Sequence, residues 1–195
     1  VSKKVYNLLK NNPVVDCTCP FVAKIHRIVE EESAAGRVIL VAGDAVHPEV
    51  EATVGFSSGP VFCFQTEEEL LEIIKKLKED GEKPVSLVAQ TTFHVDLWKK
   101  FQQIIENHYT NAKIFDTICS ATTMRQKEAV ELAQQSDYMV VVGGKSSSNT
   151  LKLYEICSRF CETALVETKS QLHKSQIFRH NRIRVTAGAS TPADI

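Results

Sequence analysis

Two cysteines occupy the same place in two copies of one pattern. Cys19 ends the stretch Pro13-Val14-Val15-Asp16-Cys17-Thr18-Cys19. Cys119 ends Lys113-Ile114-Phe115-Asp116-Thr117-Ile118-Cys119, one hundred residues further on. Each copy is a short apolar run, then Asp-x-x-Cys, then a long amphipathic segment. A thiolate is a strong ligand for soft metals, and a pseudo-symmetric ring of repeated modules brings equivalent residues together at its axis. Metal ligation is therefore one reading of the pair; the other is two ordinary buried thiols, a common setting for cysteine. Two thiolates are too few for tetrahedral zinc or for a cluster. A third, from a further copy of the module, would suit a four-iron cluster with one iron left open for substrate. Cys17, Cys63, Cys157 and Cys161 have no such counterpart. Cys157 and Cys161, four apart on a predicted helix, are read as packing residues.

Four other stretches carry groups that bind or move charge. His47-Pro48-Glu49 puts a hydrogen-bond donor and a carboxylate on one loop, although a capped helix start with an incidental histidine has the same pattern. Ser146-Ser147-Ser148-Asn149 lies between a predicted strand and a predicted helix. Hydroxyls, an amide and helix N-terminal N–H groups converge there, an arrangement that suits phosphate oxygens and is compatible with plain N-capping. Gln90-Thr91-Thr92 and Gly188-Ala189-Ser190 are polar strand exits that say little singly.

The elements that must position these groups repeat with the cysteines. Gly43 closes the apolar run Val38 to Ala42, and Gly143 closes Tyr138 to Val142. A weaker match pairs Val85–Thr91 with Val185–Thr191, also one hundred residues apart. Such order and spacing mark a duplicated module. Strands are predicted over 38–42, 61–64, 85–89, 113–118, 138–142, 164–166 and 183–186, and the uninterrupted apolar run 38–42 is what a strand buried on both faces of a parallel sheet requires. Helices are predicted over 20–33, from Pro48, from Thr66 with a Thr66/Glu69 capping box, and over 95–107, 122–135, 149–159 and 171–177. Strands alternating with helices give α/β modules with small parallel sheets. In such sheets the residues just past the strand ends line the binding crevice. That puts Cys19, His47, Glu49, Gln90, Thr91, Cys119, Ser147, Ser148, Asn149 and Ser190 on strand-exit loops, with one shared site between modules. Residues 1–19 are expected to be the last helix and strand of a further module, 20–118 a second module and 119–195 a third.

Composition excludes some classes. Lys plus Arg number 23 against 24 Asp plus Glu, so no bulk charge draws the chain to nucleic acid or a membrane surface. No apolar run approaches the roughly 20 residues that span a bilayer. Six irregularly spaced cysteines in a chain of 195 residues are not a secreted disulfide framework, which points to reduced thiols in a cytoplasm.

Taken as a set, Asp-x-Thr-Cys-Pro at 16–20, His-Pro-Glu-Val at 47–50, Gln-Thr-Thr at 90–92, Ile-Cys-x-Ala-Thr at 118–122, Ser-Ser-Asn at 147–149 and Thr-Ala-Gly-Ala-Ser at 186–190 resemble the 4-hydroxy-3-methylbut-2-enyl diphosphate reductase family, over essentially the whole chain. The resemblance implies three similar α/β modules around a central cavity. It implies a 4Fe-4S cluster held by Cys19, Cys119 and a third cysteine from an N-terminal part. It assigns His47, Ser147, Ser148, Asn149 and Ser190 to the substrate diphosphate, and Gln90, Thr92 and Thr122 to further substrate contacts. Glu49 would relay protons to the substrate hydroxyl and Thr91 would position that hydroxyl. The implied reaction is the last step of the methylerythritol phosphate route to isoprenoids, with an isoprenoid diphosphate as substrate. A ferredoxin or flavodoxin is the implied electron donor, and the enzyme is expected to be a monomer. The chain alone is expected to be inactive. The competing class is a non-catalytic anion-binding α/β module with structural cysteines.

Overall fold

The structure, a computed structural model, describes residues 2–81 and 83–192. The chain divides into two compact units, Val1–Ile118 and Cys119–Ile195. In the first unit, four strands form one parallel sheet in the order β2-β1-β3-β4: β1 (Val38–Ala42), β2 (Val61–Phe64), β3 (Val85–Ala89) and β4 (Lys113–Ile114). Among the described residues five helices accompany them: α1 (Lys3–Leu8), α2 (Pro20–Ala34), α3 (Pro48–Val54), α4 (Glu67–Glu79) and α5 (Val95–His108). Every residue of β1 and β3 is buried, because side chains alternate between two covered faces. Leu40, Leu87 and Phe64 meet Leu70, Trp98 and Phe101 of α4 and α5 on one face. Ile39, Val41 and Val88 meet Ile25, Val29 and Val50 of α2 and α3 on the other.

Local signals explain the boundaries. Pro20 opens α2 where its missing N–H costs nothing, and Gly36 ends the turn after it at φ 78°. The capping box before α4 is formed: Thr66 Oγ1 accepts the Glu69 N–H at 3.2 Å, and Glu69 Oε2 accepts the Thr66 N–H at 3.2 Å. At the N-terminal edge of the sheet, Ser86 on β3 is the polar exception. Its hydroxyl donates to Glu32 Oε2 at 2.9 Å and accepts from Arg37 Nε at 2.8 Å, and Lys113 Nζ reaches Glu32 Oε1 at 2.8 Å. Each buried polar atom there has a partner, so the exception does not weaken the strand.

The second unit repeats the plan with three parallel strands in the order β6-β5-β7: β5 (Tyr138–Val142), β6 (Glu162–Val166) and β7 (Ile183–Ala187). Helix α6 (Ser120–Gln134) precedes β5, α7 (Ser148–Cys157) follows it, and the short α8 (Lys174–Ile177) leads into β7. Met139 and Val141 pack against Ala129, Ala133, Leu153 and Cys157. Tyr138, Val140 and Val166 form a smaller cluster on the other face. The α/β class with small parallel sheets is as expected from sequence. Among the described residues no helix is long and apolar enough to cross a membrane.

Four expectations change. The strand expected within 1–19, after the turn at Asn11–Pro13, forms no ladder: no described strand lies beside it and Val15 is 90 % exposed. The strand expected over 113–118 pairs only at Lys113 and Ile114, opposite Ser86 and Leu87. Beyond it, Thr117 replaces the ladder with its side chain, accepting the Ala89 N–H at 2.8 Å and donating to the Ala89 carbonyl at 2.7 Å. The helix expected over 171–177 is a 3-10 turn, Lys169–Gln171, followed by the four-residue α8. The last repeat match is two residues out of step. Ala42 pairs with Ala89 while Val142 pairs with Ala187, so residue 89 corresponds to 187 and Thr92 to Ser190. Residues 193–195 of the expected third module lie outside the described residues.

His26 on α2 supplies a pH test of this packing. It is 5 % exposed, stacks on Phe56 with centroids 4.2 Å apart, and its Nε2 is buried without a partner. Burial pushes its pKa from 6.5 down to about 4. The unfolded chain therefore takes up this proton at a higher pH than the folded one. The stability tied to the neutral ring is complete above 6.5 and is lost as pH falls towards 4, on the order of 3 kcal/mol in all. Replacing His26→Phe keeps the stack and removes the titration. Urea midpoints at pH 7 and pH 4.5 should then differ less in the variant than in the wild type.

Candidate active site

β1 hands the chain to β2 on one side and, after a crossover, β3 lies on its other side, so a crevice opens at the carboxyl ends of β1 and β3. Gly43 leaves β1 with its N–H on the Phe64 carbonyl at 2.9 Å, and Gln90 leaves β3 with its N–H on the Ala42 carbonyl at 2.8 Å. Asp44 Oδ1 accepts the Val46 N–H at 3.1 Å and shapes the turn that delivers His47. His47 is the N-cap of α3: its Nδ1 accepts the Glu49 N–H at 3.1 Å. A neutral ring with an accepting Nδ1 carries its proton on Nε2, so Nε2–H is the donor left to face a ligand. Glu49 reaches across to the other exit. Its Oε1 accepts the Thr91 N–H at 2.6 Å and its Oε2 accepts the Thr91 hydroxyl at 2.7 Å. Both bonds are at the short end of the range for hydrogen bonds to oxygen. Glu49 and Thr91 are thus one unit, a carboxylate and a hydroxyl held face to face. Gln90 is buried and engaged at both ends, with Oε1 on the Asp44 N–H at 3.2 Å and Nε2 on Thr92 Oγ1 at 3.2 Å.

The second unit has the same joints with different side chains. Gly143 N–H meets the Val166 carbonyl at 2.9 Å and Gly188 N–H meets the Val142 carbonyl at 2.9 Å. Ser147 stands where His47 does and caps α7, its Oγ accepting the Thr150 N–H at 3.4 Å. Asn149 stands where Glu49 does. It is 5 % exposed and its Nδ2 has no partner among the described residues. A buried unpaired amide donor costs about 1–3 kcal/mol, a cost that an incoming anionic oxygen removes. Ser148 is half-buried beside it, Ser190 is exposed on the β7 exit, and Thr122 is buried in the first turn of α6. Thr150, fully buried with a hydroxyl that has no partner among the described residues, was not legible as part of this site. It fills the space under Gly143 and Gly188, where a Cβ on either glycine would collide with its Oγ1. The glycines after two apolar strands were the only hint of that close approach.

Cys19 and Cys119 are the N-cap residues of α2 and α6, helices of 15 residues each. Their backbones agree, with φ/ψ of −52°/132° and −63°/135°, and neither side chain caps its helix. Cys19 is exposed and Cys119 half-buried. The Cys19 turn is held by Asp16, which accepts from the Tyr6 hydroxyl and from the Thr18 N–H at 2.9 Å. Those bonds, the tyrosine's foremost, hold its pKa down at about 2. Cys157 differs: it is fully buried in the α6/α7 core and burial pushes its thiol up to about 11. Burial also raises the Cys63 and Cys161 thiols. Among the described residues no three His, Cys, Asp or Glu gather to hold a metal. Each unit instead places one thiol at an equivalent helix N-terminus, where unpaired N–H groups favour negative charge, and Cys17 beside Cys19 is exposed as well. That fits part of an iron-sulfur donor set and not a whole one.

A family model described as LytB protein matches residues 1–195. The 4-hydroxy-3-methylbut-2-enyl diphosphate reductase of Clostridioides difficile (strain 630) is 39% identical over 194 residues, covering 98% of this chain and 68% of its own length. The protein of the same name from Thermoanaerobacter sp. (strain X514) is 40% identical over 195 residues, covering 98% of this chain and 66% of its own. The solved E-1-hydroxy-2-methyl-but-2-enyl-4-diphosphate reductase of Plasmodium falciparum matches with a TM-score of 0.86 at 26% identity, over 100% of this chain and 61% of that one. The chain thus spans about two thirds of the length of these relatives.

The close approach at the β7 exit predicts a rescue. A Cβ on Gly188 would collide with Thr150 Oγ1 and lie 3.2 Å from Thr150 Cβ. Gly188→Ala should cost about 1–3 kcal/mol by urea unfolding. Adding Thr150→Ala should recover most of it, a non-additivity expected only of residues in contact.

Proposed function

Because the chain belongs to the LytB family, whose curated members carry the name 4-hydroxy-3-methylbut-2-enyl diphosphate reductase, we propose that its full-length enzyme reduces that diphosphate to isopentenyl and dimethylallyl diphosphate. The reaction takes up two electrons and two protons, breaks the allylic C–O bond, forms one C–H bond and releases water. Cys19 and Cys119, with a third cysteine, would hold a 4Fe-4S cluster, which when bound supplies the electrons and a Lewis-acidic iron for the hydroxyl. Electrons would come from a carrier such as ferredoxin or flavodoxin.

This chain's own residues supply binding and protons. The His47 Nε2–H, the Ser147 and Ser148 hydroxyls, the Asn149 amide and the Ser190 hydroxyl donate to the diphosphate, with Thr92 and Thr122 as further polar contacts. Anchoring the diphosphate fixes the rest of a five-carbon substrate, so much of the entropy is lost on binding and not in the chemical step. Thr91 orients the substrate hydroxyl. Glu49 passes a proton through the Thr91 hydroxyl or directly, so that the leaving group departs as water. The observation that carries this reading is the Glu49–Thr91 pair, a carboxylate bonded to both the N–H and the O–H of one strand-exit threonine.

Glu49→Gln keeps the side-chain shape and one acceptor but removes the proton carrier. In the full-length anaerobic enzyme it should lower turnover by at least 100-fold, within the range for losing a general acid. Affinity for the substrate diphosphate should stay within a few-fold. Near-normal turnover under the same electron supply would sink the assignment.

The thiols are tested by iron and sulfide content after anaerobic reconstitution. Cys119→Ser in the full-length protein should lose the cluster. Cys157→Ser should keep it, because that thiol is buried and held protonated. A wild-type protein that binds diphosphate but takes up no iron would be the non-catalytic anion-binding module with structural cysteines.

A further inference from the structure

The motif that resembles the family's gives Gln90 a place among the substrate contacts, but its side chain already has work inside the protein. Gln90 is 4 % exposed. Its Oε1 accepts the N–H of Asp44, on the exit of β1, and its Nε2 donates to Thr92 Oγ1, on the exit of β3. Its backbone is equally committed, N–H to the Ala42 carbonyl at 2.8 Å and C=O to the Phe93 N–H at 2.9 Å. The crossing is tight: a Cβ on Gly43 would lie 2.9 Å from Gln90 Cβ and 3.1 Å from Gln90 Oε1. On one side of this bridge is the loop that carries His47 and Glu49, and on the other is Thr91, which Glu49 grips.

We infer that Gln90 is a positioning residue and not a substrate contact: it ties the two strand exits together so that the Glu49 carboxylate and the Thr91 hydroxyl stay face to face. The second unit supports the division of labour. There the position equivalent to Gln90 is Gly188, which has no side chain to bridge, and no carboxylate stands at Asn149 to be aligned. A unit that only donates to an anion tolerates small shifts of its loops. Proton transfer along a hydrogen bond does not, since displacement by about 1 Å can cost a hundredfold in rate.

This rests on the proposed proton-transfer role of Glu49, so the test has one arm that needs no turnover. Gln90→Met fills similar volume and makes neither bond. In the chain itself, amide exchange should accelerate at Asp44, which loses its acceptor, and at Thr91, whose acceptor is Glu49 Oε1. The Ala89 amide, bonded to Thr117 Oγ1, should keep its protection and serve as the internal control. In the full-length enzyme with its cluster, kcat should fall about tenfold while KM for the diphosphate stays within about twofold. Unchanged protection at Thr91 would overturn the inference, and so would a raised KM with kcat intact, the signature of a lost substrate contact. If the wild-type enzyme shows no reductase activity, the functional reading fails, and the Thr91 amide still decides whether Gln90 positions the pair.

Discussion

The working end of each unit depends on how closely two loops can approach at the carboxyl ends of parallel strands. β1 and β5 both leave their sheets through a glycine, and at both glycines a Cβ would come within 3.0 Å of a neighbouring side chain. At Gly43 the obstacles are Val50 and Gln90, and at Gly143 they are Thr150 and Thr191. Backbone packed this tightly presses the first turn of the following helix against the exit of the neighbouring strand. Residues from two different crossovers are thereby brought within hydrogen-bonding distance. Without that approach Glu49 could not hold Thr91.

One scaffold, repeated, carries two kinds of chemistry. The joints are conserved in geometry: the strand-exit N–H groups of Gly43 and Gly143 both meet a carbonyl of the outer strand at 2.9 Å. What differs is the side chain placed at each joint. The first unit has a neutral-ring donor and a carboxylate at His47 and Glu49. The second has a hydroxyl and an amide at Ser147 and Asn149. The first pair offers a donor and an acceptor and the second offers donors, and where the first unit has the bridging Gln90 the second has Gly188. The cysteines, like the exit glycines, are shared unchanged, each as the N-cap of a 15-residue helix.

Much of this was legible before any coordinates, for reasons that can be named. Strands buried on both faces must be apolar throughout, so Val38–Ala42 and Tyr138–Val142 announced themselves. The Thr66/Glu69 capping box is a local device and reads directly from spacing. The strand ends then located His47, Gln90, Thr91 and Ser147 on strand exits and Glu49 and Asn149 in the first turns of the helices that follow, where the crevice of a parallel sheet opens. Where a segment needed a partner the sequence misled. Pro13–Val15 has a strand's composition but no described strand beside it, and 113–118 loses its ladder after Ile114 because Thr117 bonds the Ala89 backbone through its side chain.

The sequence by itself determined the α/β class, the duplicated module, the equivalence of Cys19 and Cys119, and the candidate loops, since periodicity, glycine and capping are local properties. Only the tertiary structure decided which candidates touch. It set the strand register that pairs Ala42 with Ala89 and Val142 with Ala187, and so moved the last repeat match by two residues. It joined Glu49 to Thr91 across 42 residues of chain, turned Gln90 inward, and left Asn149 Nδ2 buried without a partner. It also separated the accessible thiols of Cys19 and Cys119 from the buried one of Cys157. Contact, burial and hydrogen-bond saturation depend on which strand lies beside which, and residue spacing along one chain does not encode that.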